Sequence, residues 1–276
     1  MLREFKTYLE SIKGYSKNTA EGYGKDLNKF ANWMLNNNPE TRWSTITRDD
    51  VDAYIEWNVG MGIKPATTNR YLAAISSLYD WFKRNGKEVE NPARFESRRK
   101  IGTTVPDTVP MCILKKAYEN SIGTIHIMFG VLMTTGIRIQ ELLDIRKCDL
   151  DIMNNSIKIH GKGNKERLVY VPKEIMDDLV RFSQNQTNNE PVFKGWEQRE
   201  VRRGVYEVLR PFPEAIHRNP HAIRHTFATE LAKQGVNVTT LAKMMGHDSI
   251  KTTQKYIDLG QQEVNEAYKL YQTAFA

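Results

Sequence analysis

The stretch HAIRHTFATEL, residues 221–231, decides how this chain is read. Its apolar members Ile223, Phe227 and Leu231 recur at helical spacing, which anchors one face of a helix in a core. On that helix His221, Arg224 and His225 stand at i, i+3 and i+4, so all three project from one neighbouring face. A His pair at i, i+4 is also a metal-site spacing. However, no Glu follows His221 as the HExxH pattern requires, and no cysteine adjoins the pair. The sequence therefore expects no metal here. The arginine of this set suits a phosphate, because its planar guanidinium offers a fixed fork of donors to the non-bridging oxygens.

The same chemistry recurs on both sides of that helix. Upstream, TGIRIQELL places Arg138 one turn before Glu141. This is either an ordinary i, i+3 ion pair or a carboxylate orienting an arginine. In SIKIHGKGNKERLVYV, Ile157 and Ile159 alternate with polar residues, and Leu168 to Val171 follow a glycine-rich turn, which predicts a β-hairpin. Lys162 sits in that turn between Gly161 and Gly163. Downstream, Val238, Leu241, Met244 and Met245 mark a helix that leads through Gly246 to His247. Asp248 or Ser249 can then cap a short helix carrying Tyr256. Two arginines can grip a phosphodiester, a tyrosine can attack its phosphorus and a lysine can protonate the departing hydroxyl.

The set Arg138, Lys162, His221, Arg224, His247 and Tyr256, in this order, resembles the tyrosine recombinase family, which includes the phage integrases and Xer site-specific recombinases. That family reads Arg, Lys, His-x-x-Arg, His or Trp, Tyr, and every position is filled here. The resemblance implies that Arg138 and Arg224 clamp the phosphate with His221 and His247 assisting. It also implies that Glu141 orients the site, Lys162 is the general acid, and Tyr256 forms a 3′-phosphotyrosyl link. His221 is the expected acceptor of the tyrosine proton. Lys165 and Arg167 are expected to contact the DNA backbone. No cofactor is expected, neither ATP nor metal, because the phosphotyrosine keeps the bond energy for religation.

Residues 1–90 read as four helices. Ser16 or Thr19 caps one whose stripe is Tyr23, Leu27, Phe30 and Met34, and Thr47 with Asp50 forms a capping box. Pro65 opens another, with Tyr71, Ile75, Leu78 and Phe82 inward and Gly86 as its stop. This last segment resembles the final helix of the family's core-binding domain, so Thr67, Asn69 and Arg70 are expected to be exposed toward DNA. Periodicity fails over residues 91–110, the predicted linker, where Pro92, Pro106 and Pro110 cluster. Its basic run, Arg98, Arg99 and Lys100, reads equally as solvated charge or as a track for the phosphate backbone. Residues 111–276 form the second predicted domain. It ends in an amphipathic tail (Val264, Ala267, Tyr268, Tyr271) that packs at home or docks on a neighbouring copy.

The predicted fold class is thus mainly α with a small β-hairpin: a helical, SAM-like core-binding domain followed by a mixed catalytic domain. A net charge of +7 on 276 residues mildly favours a polyanionic partner, and the excess is spread over both halves. Cys112 and Cys148 lack CxxC spacing and read as reduced, packed thiols. The N-terminus lacks the apolar stretch of a signal peptide, and no run is long enough to span a bilayer, so a cytoplasmic, nucleoid-associated protein is expected. The implied partners are duplex DNA with specific recombination sites, further copies of the chain forming a tetramer with exchanged C-terminal helices, and accessory DNA-bending or directionality proteins. No further domain is expected before the helical one, which within the resemblance implies a simple recombinase rather than one that also binds arm sites. Two other classes fit the same residues: a type IB topoisomerase acting on one duplex, and a DNA-binding regulator with an inert site.

Overall fold

In the N-terminal unit, α1 (Leu2–Ser11) leads to α2 (Lys17–Asn37), where the Ser16 hydroxyl accepts from the Thr19 amide. Thr47 and Asp50 close the expected capping box at α3 (Arg48–Gly60), each side chain accepting the other's backbone N–H. Pro65 occupies the first turn of α4 (Pro65–Arg84), where its missing N–H costs nothing. The apolar stripes of these helices meet in one core containing Phe5, Leu27, Phe30, Tyr54, Ile75, Leu78 and Phe82. The computed structural model describes residues 1–94, 99–100, 106–161, 165–246, 253, 254 and 256. It divides into two compact units, Met1–Gly102 and Thr103–Ala276.

The second unit is built around α6 (Gly123–Thr135), a predominantly apolar helix. α5 (Met111–Glu119), α8 (Lys173–Phe182), α9 (Gln198–Leu209) and α10 (Pro220–Lys233) pack against it. A helix apolar on all sides belongs inside a protein, and Met128, Phe129, Val131 and Leu132 lie in the core. The short α7 (Ile139–Leu143) follows α6, and α11 (Val238–Met245) follows α10. The predicted hairpin is present as β2 (Ser156–His160) paired antiparallel with β3 (Glu166–Tyr170). Ile157 pairs with Val169, and both face the core, while Leu168 and Tyr170 face out. A third strand, β1 (Leu150–Asp151), pairs with β2 and completes a sheet of order β1-β2-β3.

Two expectations about side chains are corrected. Cys112 and Cys148 are exposed rather than packed, because neither sits on the apolar stripe of its segment. Thr67 and Asn69 are half-buried rather than exposed. The Asn69 amide is committed to Arg99, donating to its carbonyl at 2.9 Å and accepting from its N–H at 2.8 Å. Arg70 is exposed but ion-paired through two donors with the buried Asp26. Arg98 and the C-terminal tail lie outside the described residues. Among the described residues no helix is long and apolar enough to cross a membrane.

Candidate active site

Gly136 ends α6 in the left-handed conformation (φ +62°), which only glycine adopts without strain. The turn it makes sets Arg138 at the start of α7. There the Glu141 carboxylate reaches back, accepting from the Arg138 N–H at 2.8 Å and from its Nη1 at 2.9 Å. Arg167 enters from β3 and donates to both oxygens of the same carboxylate, at 3.1 and 2.7 Å. Glu141 is only 6% exposed. Burial pushes its carboxyl up, but Arg167, the Arg138 amide and both arginine charges outweigh that and hold it below the ordinary carboxylate value.

The C-terminal end of α11 supplies the second anchor. Arg167 Nε donates to Met244 O at 3.0 Å, Arg224 Nη2 to Met245 O at 2.5 Å, and Arg138 Nη2 to Gly246 O at 3.1 Å. Three arginines thus take three consecutive carbonyls that the helix end leaves without intrahelical partners, at the negative pole of its dipole. Gly246 is left-handed (φ +60°), and a Cβ there would lie 2.8 Å from Arg167 Nη1, so the close approach also requires glycine. Arg224 Nη1 additionally donates to Gly136 O at 2.6 Å. Arg224 is 4% exposed. Burial, then the nearby Arg138 charge, lowers its pKa to about 10, which leaves it charged at neutral pH.

Asn219 caps α10 by accepting from the Ala222 amide, with Pro220 in the first turn, and His221 follows on the exposed surface. His221, Arg138 and Arg224 line one cleft of about 500 Å³ together with Arg202 and Gln198. The cleft includes the N-terminal end of α10, whose unsatisfied N–H groups and positive pole favour an anion. Arg138 also lines a second cleft, of about 730 Å³, with Glu141, His160, Lys165 and Arg167.

Tyr256 is 2% exposed and packs with Ala228, Ala232, Leu241 and Met245. Its hydroxyl lies 2.5 Å from Nδ1 of the buried His225. The His225 ring in turn stands edge-on to His221, with centroids 4.2 Å apart. Burial raises the Tyr256 phenol to a pKa of about 12 against the opposing pull of the Arg224 charge.

The structure therefore gathers Arg138, Glu141, His221, Arg224 and Tyr256 around the ends of α7, α10 and α11. Lys162 and His247 lie outside the described residues. Lys165 is exposed at the rim of the larger cleft, whereas Arg167 is turned inward onto Glu141 and Met244 rather than lying open for a DNA phosphate. His225 joins the site through its contact with Tyr256, a role the sequence does not reveal. Its one signal in the sequence is the i+4 spacing from His221, a spacing shared with metal-binding pairs. Among the described residues no group of three or more His, Cys, Asp or Glu side chains could hold a metal ion.

Over 98% of this chain and 97% of its own length, the tyrosine recombinase XerD of Oceanobacillus iheyensis is 25% identical. The tyrosine recombinase XerC of Lactobacillus leichmannii is also 25% identical, with 96% of each chain covered. The fold is similar to that of XerH site-specific recombinase bound to palindromic difH substrate (TM-score 0.76, 18% identity, 99% of this chain and 85% of that one). It is also similar to a lambda integrase dimer bound to a COC′ core site (TM-score 0.72, 14% identity, 93% of each). The N-terminal SAM-like domain of phage integrases matches residues 2–86, and the Phage integrase family itself matches residues 113–263. More than half the chain lies in that second match: the protein belongs to the phage integrase family of tyrosine recombinases.

Proposed function

We propose that the protein cuts and rejoins duplex DNA at specific sites, with Tyr256 as nucleophile and strands exchanged through a Holliday junction. The observation that carries this reading is the convergence of Arg138, His221 and Arg224 on one cleft, with Tyr256 buried against the helix that bears Arg224. Tyr256 attacks a backbone phosphorus, leaving a 3′-phosphotyrosyl bond and a 5′-hydroxyl. The two guanidiniums hold the charge that grows on the non-bridging oxygens, an effect strongest where donors are fixed and water is excluded. Lys162 supplies the proton to the departing 5′-oxygen, and His247 adds a hydrogen bond to the phosphate. Attack by a 5′-hydroxyl of a second duplex reverses the step and completes exchange.

Residues 1–90 act as the core-binding domain and 111–276 as the catalytic domain, joined through 91–110. Arg70, Arg99, Lys100 and Lys165 contribute charge toward the phosphate backbone, whose neutralisation supplies the sequence-independent part of affinity. Four copies work on two sites, linked through their C-terminal tails, with accessory DNA-bending proteins as further partners, in the cytoplasm at the nucleoid. XerH and lambda integrase, whose folds are similar, are seen bound to DNA substrates, which supports a duplex partner here.

The test starts by selecting bound sequences from a random duplex library. Two differently labelled duplexes carrying the selected site are then mixed with the protein. Recombinant products and a four-way junction are expected. Relaxation of a supercoiled plasmid with no exchange between duplexes would instead indicate a topoisomerase.

A further inference from the structure

We propose that His225 is a catalytic residue that receives the phenolic proton of Tyr256 as the tyrosine attacks phosphorus. This deepens the reading above and rests on Tyr256 being the nucleophile. Nδ1 of His225 lies within hydrogen-bond reach of the reacting oxygen, and both side chains are buried, 6% and 2% exposed, so bulk water does not compete for the proton. His225 follows Arg224 on α10. One rigid turn therefore fixes the base and a phosphate clamp relative to each other. His221, one turn earlier, is exposed and lines the cleft with Arg138 and Arg224, which assigns it to the phosphate rather than to the proton expected of it from the sequence.

The nucleophile needs such a partner. Burial places the phenol near pKa 12, so at pH 7 only about one molecule in 10⁵ would be ionised unaided. In the step, the Oη–H bond breaks and its proton passes to Nδ1 of a neutral His225 that carries its own proton on Nε2. The Oη–P bond forms, the P–O5′ bond breaks, and the 5′-oxygen takes a proton from Lys162. On religation the imidazolium returns its proton to Oη.

Asn places a hydrogen-bonding atom near the position of Nδ1 but cannot take up the proton, so His225→Asn separates holding the tyrosine from deprotonating it. Covalent adduct is measured on nicked duplex carrying the selected site, with duplex binding as the check on folding. His225→Asn is expected to bind DNA like wild type and to form adduct about 10²–10⁴-fold more slowly. Placing the more acidic 3,5-difluorotyrosine at position 256 should raise the His225→Asn rate by at least about tenfold more than the wild-type rate, because an acidic phenol depends less on a base. If Asn weakens duplex binding, the same comparison is made with His225→Gln. An unchanged adduct rate in the His225 variant, or an equal effect of the fluorinated tyrosine on both proteins, overturns the proposal. Adduct persisting in Tyr256→Phe would overturn the choice of nucleophile instead, a separate failure.

Discussion

Arg138 and Arg224 donate to adjacent carbonyls, Gly246 O and Met245 O, at the end of one helix. Each guanidinium is also fixed at a second point, Arg138 by Glu141 and Arg224 by Gly136 O. Two contacts set the plane of each fork before any phosphate arrives, which is the preorganisation that makes charge stabilisation effective. The same end of α11 leads directly into the segment that carries His247 and Tyr256.

Arg224→Lys keeps a charge but cannot bridge Gly136 O and Met245 O as a planar fork does. Adduct formation should fall about 10²–10³-fold, the usual worth of one fixed donor to a developing oxyanion, while duplex binding changes little. Single-turnover rates on a nicked substrate, alongside a gel-shift titration, check both halves of this expectation.

Arg167 ties β3 to α7 and α11 through Glu141 and Met244 O. Arg167→Met strips a buried carboxylate of its main partner and should cost about 3–5 kcal/mol. Combining it with Glu141→Gln should restore part of that loss, since the two residues share one interaction. Denaturant unfolding of the single and double variants measures the coupling, and strictly additive losses would dissolve the network.

Glu141 also sets an acid sensitivity. Its pKa in the folded protein is depressed below the ordinary 4.5, so the folded state binds fewer protons there than the unfolded chain. Its contribution is therefore full above pH 4.5 and is lost as pH falls through the lowered value. Glu141→Gln should be less stable at neutral pH and should show a flatter stability profile below pH 4.5.

Much of this was legible in the sequence, for identifiable reasons. The stripes of α2 and α4, the Ser16 and Thr47 caps and the β2–β3 hairpin depend on local spacing, which a chain displays residue by residue. β1 escaped because two residues carry no periodicity, and it forms only by pairing with β2. The anchoring of Arg138, Arg167 and Arg224 on the end of α11 escaped because main-chain carbonyls leave no mark in a sequence. For the same reason the bonds of Arg167 to Met244 O and of Asn69 to the Arg99 backbone could not be read from the sequence.

Lys162 can be tested as the general acid by changing the leaving group. Lys162→Ala should cut an ordinary phosphodiester about 10²–10⁴-fold more slowly, yet cut a 5′-bridging phosphorothiolate near the wild-type rate, because a thiolate departs without a proton. Arg224→Ala should be slow on both substrates. If sulfur gives no selective rescue, the lysine positions DNA and another group is the acid.

The proposed covalent bond between Tyr256 and DNA, formed without help from a metal, is open to one direct measurement. Wild-type protein and Tyr256→Phe are each incubated with nicked duplex carrying the selected site in excess EDTA, and adducts are resolved on a denaturing gel. A 3′-linked adduct is expected with wild type and none with Tyr256→Phe, at equal DNA binding. An adduct that survives the substitution, or one that EDTA abolishes in wild type, would contradict it.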